Sequence, residues 1–100
     1  YDSSCASSLK LLGDYWTLRI IDVLSGGELR FCELQRRLDN LNPVTLTGRL
    51  KKLEEAKLVN RYENMEDKVA VVYALTGLGT ETLPVIAAIN DFSLKADALA

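Results

Sequence analysis

The stretch LNPVTLTGRLKKLEEAKLV, residues 41–59, decides the fold of this chain. Leu46, Leu50 and Leu53 recur at intervals of four and three residues, which is the apolar stripe of an amphipathic helix. Asn42 is a favourable N-cap residue, and Pro43 falls at the first helical position, where a proline costs no hydrogen bond. The pattern predicts a helix over residues 43–56.

The opposite face of this predicted helix is small, polar and basic. It carries Thr45, Gly48, Lys51 and Lys52. An alanine in place of Gly48 would stabilise an exposed helix by about 1 kcal/mol. Such a face suits the major groove of DNA, where a small residue permits close approach and lysines meet phosphates. The alternative is a solvated face that tolerates a glycine.

The sequence on both sides of this helix predicts a winged helix-turn-helix. Upstream, CELQRRL has helical spacing and DNLN consists of turn residues. Downstream, LVNRY and VAVVYAL flank the polar stretch ENMEDK, as two antiparallel strands do in a hairpin. We therefore predict a single domain over residues 1–100 with an α+β, mostly α fold. Its helix-turn-helix covers about residues 32–56, and its two-stranded β-hairpin wing covers about residues 59–75.

Helices are also predicted at both ends of the chain. Ser3 or Ser4 caps the first, and Asp14 caps a second one after a stop at Gly13. Thr76 caps a C-terminal helix over about residues 77–97. The segment LPVIAAINDF gives this helix a wider apolar face than one small core requires, and monomers rarely expose such a patch. We therefore predict that the terminal helices pair in a homodimer.

Charge is distributed unevenly along the chain, whose formal net charge is −2. Residues 30–61 hold eight basic and four acidic residues, a local net charge of +4, whereas the remainder holds four basic and ten acidic residues. A basic segment between acidic ends predicts one face that meets a polyanion such as double-stranded DNA.

Composition argues against several other classes of protein. A chain of 100 residues, of which 48% are hydrophobic, suits one soluble domain. It lacks an apolar run of membrane-spanning length and a signal-peptide pattern, so we expect a cytoplasmic protein without a membrane partner. The sequence has no histidine, no phosphate-binding glycine loop and no cysteine cluster at zinc spacing. We therefore predict neither an enzyme nor a cofactor- or metal-binding protein.

Five segments of the chain resemble the HxlR-type transcriptional regulators, which are relatives of the MarR-type winged-helix proteins. They are LLGDYWTLRII, LRFCELQRRL, NPVTLTGRLKKLEEAKLV, VYALTGLG and LPVI. Two family motifs are present: Gly-x-x-Trp-Thr-Leu from Gly13 and Leu-Thr-x-x-Gly from Leu75. The resemblance implies a winged helix that dimerises through its terminal helices and binds a pseudo-palindromic operator. Some members respond to small oxidants or electrophiles through a cysteine near the N-terminus, and Cys5 falls at that position.

The residues predicted to contact DNA lie in the helix-turn-helix and the wing. They are Arg36, Arg37, Asn42, Val44, Thr45, Thr47, Gly48, Arg49, Lys51, Lys52 and Lys68. Val44 and the Thr45 methyl group suit thymine methyls, whereas the lysines and arginines suit phosphates. The dipole of the preceding helix explains Arg36 and Arg37 equally well, since cations are favoured at a helix C-terminus.

Other interpretations stay open at this point. The rival to a DNA-binding regulator is a winged-helix module that binds proteins instead, which the acidic wing tip and the low overall isoelectric point favour. The wing tip also lacks the proline that is typical of the family. Cys5 is either a packed apolar residue or a reactive thiol near a helix N-terminus, and the second would make the chain a sensor. Cys32 is predicted at a helix-cap position, as a tolerated replacement for serine or asparagine.

Overall fold

A computed structural model describes residues 2–63 and 71–99 of the chain. Its elements, in chain order, are α1 (Ser3–Leu12), α2 (Tyr15–Leu24), β1 (Leu29–Arg30), α3 (Phe31–Arg37), α4 (Pro43–Glu55), β2 (Val59–Glu63), β3 (Val71–Leu75), α5 (Gly77–Thr80) and α6 (Leu83–Leu99). The order confirms the predicted winged helix-turn-helix, with α3 and α4 as the two helices and β2 and β3 as the wing strands. The predicted wing tip, with Lys68, lies outside the described residues.

Aspartates begin both N-terminal helices. Asp14 caps α2 as predicted, because its carboxylate accepts a 3.0 Å hydrogen bond from the Thr17 backbone N–H. The cap of α1 is Asp2 rather than Ser3 or Ser4, since Asp2 Oδ1 accepts from the Cys5 backbone N–H at 2.8 Å. Aspartate satisfies a free N–H at a helix start as well as serine does, so α1 begins slightly earlier than predicted.

The turn between α3 and α4 is stabilised by backbone conformation and by two side chains. Asp39 and Asn40 both have a φ of 58°, in the left-handed region that these residue types tolerate. The Gln35 amide donates to the Leu41 carbonyl oxygen at 2.9 Å. Asn42 Oδ1 accepts from the Val44 backbone N–H at 2.8 Å. Asn42 therefore caps α4, as the sequence predicted.

The prediction that Cys32 caps α3 is wrong. The cap is Arg30, whose backbone N–H donates to Glu33 Oε1 at 3.1 Å. Arg30 is also the last residue of β1, and its pairing with Val72 fixes the point at which the strand ends and the helix begins. Cys32 is exposed in the first turn of α3.

The sheet has three antiparallel strands in the order β1-β3-β2. β2 and β3 form the predicted hairpin, with Val59 opposite Leu75 at one end of the register. β1 adds a third strand by pairing Leu29 with Tyr73. The rings of Phe31 and Tyr73 then lie 6.5 Å apart between centroids, so the start of α3 is packed on the base of the wing.

One apolar core lies between α2, α3, α4 and the sheet. The largest apolar side chains that it buries completely, or almost so, come from three helices: Ile20, Ile21, Leu34, Leu38, Leu46, Leu50 and Leu53. Trp16 is half-buried against this cluster, with its ring edge-to-face on Tyr15 at 4.8 Å between centroids. Burial of each large aliphatic side chain contributes roughly 1.5–3 kcal/mol. Core packing therefore stabilises α4 more than the intrinsic helix propensity of its residues.

The single C-terminal helix predicted over residues 77–97 divides into α5 and α6. Pro84 explains the division, because it has no N–H to donate to the Thr80 carbonyl oxygen and its ring would clash with that group. Pro84 is the second residue of α6, where a proline is tolerated. Thr76 does act as a cap, but of α5: its hydroxyl accepts from the Gly79 N–H at 2.9 Å and donates to the Lys57 carbonyl oxygen at 2.7 Å.

The threonine and the glycine of the Leu-Thr-x-x-Gly motif both lie against the backbone at the start of β2. The Thr76 backbone N–H donates to the Leu58 carbonyl oxygen at 3.0 Å. A Cβ atom at Gly79 would lie 2.1 Å from the same oxygen. Only glycine permits so close an approach, so the motif fastens α5 to the end of the wing.

The two terminal helices lie at the surface of the protomer. No residue of α1 or α6 is buried within the described part of the chain. In α6, Ile89, Phe92 and Leu94 are 49%, 65% and 61% exposed. Among residues 2–63 and 71–99 there is no helix with the length and apolarity needed to cross a membrane.

Candidate nucleic-acid interface

Helix α4 presents a buried face and an exposed face. Leu46 and Leu53 are fully buried and Leu50 is 1% exposed, so this stripe attaches the helix to the core. At about 100° per residue, the residues that precede and separate these leucines turn away from the core. The exposed residues on this side of the helix include Val44, Thr47, Gly48, Lys51 and Lys52. Thr45 is half-buried at the edge of this surface, which we call the α4 outer face.

Gly48 lies in the middle of the α4 outer face. A Cβ atom added there would have no heavy atom of the described residues within 4 Å. Packing within the protomer therefore does not require a glycine, although alanine would suit the helix better by about 1 kcal/mol. Val44, one turn earlier, is 80% exposed, so a large apolar side chain stands beside this bare position.

Other basic residues lie near the ends of the helix-turn-helix. Arg36 and Arg37 are exposed in the last turn of α3, where they border a shallow depression together with Glu33. A second depression lies between α4 and β2. It is lined by Thr47, Lys51, Glu54, Glu55 and Arg61. Arg61 therefore extends the basic surface from α4 onto the wing, a role that sequence reasoning did not assign, and the two glutamates reduce the positive charge there.

Arg49, predicted to contact DNA, has an intramolecular partner. Its Nε lies 2.9 Å from Asp14 Oδ2 and its Nη2 lies 3.3 Å from Asp14 Oδ1, so the guanidinium binds the carboxylate in a bidentate way. The hydrogen bond from Arg49 is the main reason that the pKa of Asp14 falls to about 2, below its ordinary value of 3.8. Burial opposes this shift, whereas hydrogen bonds from Thr17 support it. The pair is therefore ionised at neutral pH.

Asp14 is the residue that the sequence prediction of the site omitted. The sequence indicated its role as the cap of α2, and the structure adds the contact with α4. Asp14 and Arg49 are 35 positions apart. No local pattern connects residues at that separation, so the contact had no signal in one sequence.

The remaining predicted site residues are Lys68 of the wing and the two cysteines. Lys68 lies outside the described residues. Cys5 and Cys32 are both exposed free thiols. The interpretation of Cys5 as a residue packed within the protomer is therefore wrong, and its side chain is accessible on α1.

Sequence comparison identifies relatives along most of the chain. Residues 11–97 match the model of the HxlR-like helix-turn-helix family. The HTH-type transcriptional regulator YodB of Bacillus subtilis (strain 168) is 39% identical over 74 residues, which cover 74% of this chain and 66% of YodB. An uncharacterized HTH-type transcriptional regulator of Methanothermobacter thermautotrophicus is 32% identical over 92 residues, which cover 92% of this chain and 70% of that protein. The chain thus spans about two thirds of the length of these relatives.

Solved structures resemble the fold closely. The reduced form of YodB from B. subtilis has a TM-score of 0.84 at 30% identity, over 93% of this chain and 91% of that one. The quinone-bound form of YodB has a TM-score of 0.83 at 29% identity, over 95% and 99% of the two chains. A putative MarR-family regulator from Porphyromonas gingivalis W83 has a TM-score of 0.82 at 30% identity, over 94% of each chain.

These likenesses agree with the winged helix-turn-helix order of the elements. The relatives are named as transcriptional regulators rather than enzymes. Since the family match extends from residue 11 to residue 97, this protein belongs to the HxlR-like helix-turn-helix family of transcriptional regulators, whose structural neighbours include MarR-family proteins.

Proposed function

We propose that this protein is a homodimeric, sequence-specific DNA-binding regulator that inserts α4 into the major groove of a pseudo-palindromic duplex. One observation carries the proposal: the α4 outer face is bare at Gly48 and basic at Lys51 and Lys52, while the other side of the helix is packed in the core. An α-helix fits the major groove, and a missing side chain lets its backbone approach the base edges. Chromosomal DNA as the target implies a cytoplasmic protein.

The side chains near α4 divide into two roles. Val44 and the methyl group of Thr45 contact thymine methyls, and Thr47 binds a base edge or a phosphate. Phosphate contacts position the protein on the duplex without reading sequence. We assign these contacts to Arg36, Arg37, Lys51 and Lys52, with Asn42 contributing at the helix start and Lys68 from the wing.

Salt dependence tests whether Lys51 neutralises a phosphate. Each neutralised phosphate adds about −0.9 to the slope of log affinity against log salt. The substitution Lys51→Ala should therefore lower the affinity for all duplexes similarly and flatten the slope by about one unit per protomer. The measurement is affinity at four salt concentrations, for a duplex selected from a random pool and for a shuffled duplex.

Lys10→Ala is the matched control for that experiment, because Lys10 is an exposed lysine that belongs to α1 rather than to α4. Equal slopes for the wild type and Lys51→Ala would contradict the assignment of Lys51. Failure of the wild type to bind any duplex at low salt would contradict DNA binding altogether and would favour the protein-interaction module.

The homodimer is supported by the unpaired apolar surface of α6. Pro84, Val85, Ala88, Ile89 and Phe92 line one open apolar cleft on this helix. A second copy of the chain supplies an equivalent apolar helix, as a twofold interface requires. Two protomers also place two copies of α4 on one duplex, which matches a pseudo-palindromic operator.

We further propose that Cys5 makes the regulator responsive to oxidants or electrophiles. Its thiol is exposed on α1, one of the two helices that we assign to the dimer interface. YodB, a relative of this chain, has been solved in reduced, diamide-treated and quinone-bound forms. A disulfide or adduct at Cys5 would change the packing of α1 and thereby move the two α4 helices relative to each other.

Treatment with diamide or a quinone should change operator affinity by about 5- to 150-fold, the usual range for coupling between two sites. Cys5→Ser should abolish this response, and Cys32→Ser, which replaces the other exposed thiol, should keep it. Mass spectrometry establishes which thiol is modified. Unchanged affinity in a wild-type sample whose Cys5 is fully modified would refute the sensor proposal.

A further inference from the structure

The Asp14 carboxylate connects three parts of the molecule. It accepts from the Thr17 backbone N–H at 3.0 Å and from the Thr17 hydroxyl at 2.8 Å, which fixes the start of α2. It also accepts from Arg49 Nε at 2.9 Å, which links this point to the middle of α4. Asp14 directly follows Gly13, the residue that ends α1. One side chain therefore connects the α1–α2 junction to the helix that we assign to the major groove.

This ion pair constrains α4 in a way that its leucines do not. Close packing of Leu46, Leu50 and Leu53 sets how deeply the helix sits in the core, but apolar burial itself is non-directional. A bidentate contact between an arginine and a carboxylate has a defined plane and short distances, so it is directional. Arg49 lies at the flank of α4, between the exposed Gly48 and the buried Leu50, where a directional contact opposes rotation.

A small rotation of α4 is sufficient to disturb base recognition. With its side chains, an α-helix has a radius of about 5–6 Å, so a rotation of about 10° moves a groove-facing atom by about 1 Å. Hydrogen bonds lose most of their strength over displacements of about that size. Phosphate contacts by long lysine side chains tolerate the same displacement, because these side chains are flexible.

We propose that Asp14 is a positioning residue for DNA recognition, which holds Arg49 and thereby sets the rotation of α4 in the groove. The proposal rests on the proposed DNA-binding function and assigns Arg49 to α2 rather than to a phosphate. Asp14 itself touches no base. Its effect is on discrimination between sequences, and not on the general attraction to DNA.

The experiment compares the wild type with Asp14→Asn, Arg49→Lys and their double variant, and with Arg49→Gln. Asparagine keeps a side-chain oxygen that caps a helix, so α2 retains its start while the charged contact is lost. Lysine keeps the positive charge but not the bidentate geometry. Asp22→Asn removes one negative charge from an exposed position on the same helix and is the charge control. Affinity is measured for a duplex selected by the wild type and for a shuffled duplex, at a temperature at which circular dichroism shows every variant folded.

The expected result differs from the effect of a charge change alone. Removing an acidic charge should strengthen binding to every duplex, and Asp22→Asn should show this effect. Asp14→Asn should instead lower the ratio of selected to shuffled affinity by about tenfold, which corresponds to about 1.4 kcal/mol. Arg49→Lys should lower it by a similar factor. Arg49→Gln, which removes the positive charge, should leave the salt slope unchanged, because Arg49 neutralises no phosphate in this proposal. The double variant should be no worse than either single one, because both act through one contact.

Three results would overturn the proposal. The first is an unchanged or higher ratio in Asp14→Asn. The second is a flattened salt slope in Arg49→Gln, which would assign Arg49 to a phosphate because the slope counts neutralised phosphates. The third is an additive loss in the double variant. A substitution that only destabilises the fold lowers the affinities for the selected and the shuffled duplex equally. The ratio then stays unchanged, which counts against the proposal. If the wild type binds no duplex, the proposed function fails and this proposal fails with it, whereas the other outcomes contradict the positioning role alone.

Discussion

Phe92→Glu should convert the proposed dimer to a monomer and lower the affinity for a two-half-site duplex by about 10²- to 10⁴-fold. Phe92 is 65% exposed on α6, so the protomer depends little on it for its own folding. In a twofold interface the substitution places two uncompensated carboxylates in an apolar contact, and burial of an unpaired charge is highly unfavourable. Without the dimer, the second half-site is no longer bound at a high effective concentration.

Light scattering at micromolar concentration and affinity for duplexes with one or two half-sites provide the measurements. Ala87→Glu is the matched control. It adds the same charge to the same helix at an exposed position, about 140° from Phe92 at about 100° per residue. Affinity for a duplex with one half-site should change little in either variant. A monomeric wild type, or a Phe92→Glu variant that remains dimeric, would contradict the proposed interface.

Gly48→Leu should reduce affinity for the selected duplex by at least about 100-fold, or about 3 kcal/mol. A Cβ at this position has open space around it within the described protomer, so the larger side chain does not disturb the core. It extends instead from the α4 outer face into the space that the base edges occupy in a groove complex. Since each protomer carries the change, both half-sites lose their close contacts.

Gly48→Ala should change the stability of the protein and its affinity for DNA in opposite directions. The free energy of unfolding should rise by about 1 kcal/mol, because alanine is the better helix former. Affinity for the selected duplex should nevertheless fall, since even a methyl group separates the helix from the base edges. Chemical denaturation and a binding titration on the same sample provide both values.

Gly77 offers a control with the same open space around an added Cβ atom. It opens α5, is exposed, and has no heavy atom of the described residues within 4 Å of an added Cβ. Gly77→Leu should therefore leave DNA affinity unchanged. If Gly48→Leu binds the selected duplex as tightly as this control does, α4 does not enter a groove at Gly48.

The sequence by itself determined the elements whose signals are local. The leucine stripe, Asn42 and Pro43 predicted α4 and its start, because a cap and a helical repeat act over a few residues. The same short-range reasoning predicted the β2–β3 hairpin and the cap at Asp14. Which side of α4 faces outward also followed from the sequence, since the leucines leave one face free.

Other features were decided only by the tertiary structure. The segment ELRF was predicted as a short strand, but its pairing with β3 is a property of the fold, and this pairing places the cap of α3 at Arg30 rather than at Cys32. The apolar repeat of the C-terminal segment predicted α5 and α6 as one helix, whereas the missing N–H of Pro84 separates the two in the structure.

The contact between Asp14 and Arg49 is the clearest case of a feature that only the fold creates. Its two residues are 35 positions apart, and each has an ordinary local interpretation, one as a helix cap and the other as a basic residue beside DNA. They meet because the leucines of α4 pack on α2 and bring the flank of one helix to the start of the other. Local sequence therefore specified the helices, whereas core packing selected which of their charged groups form a pair.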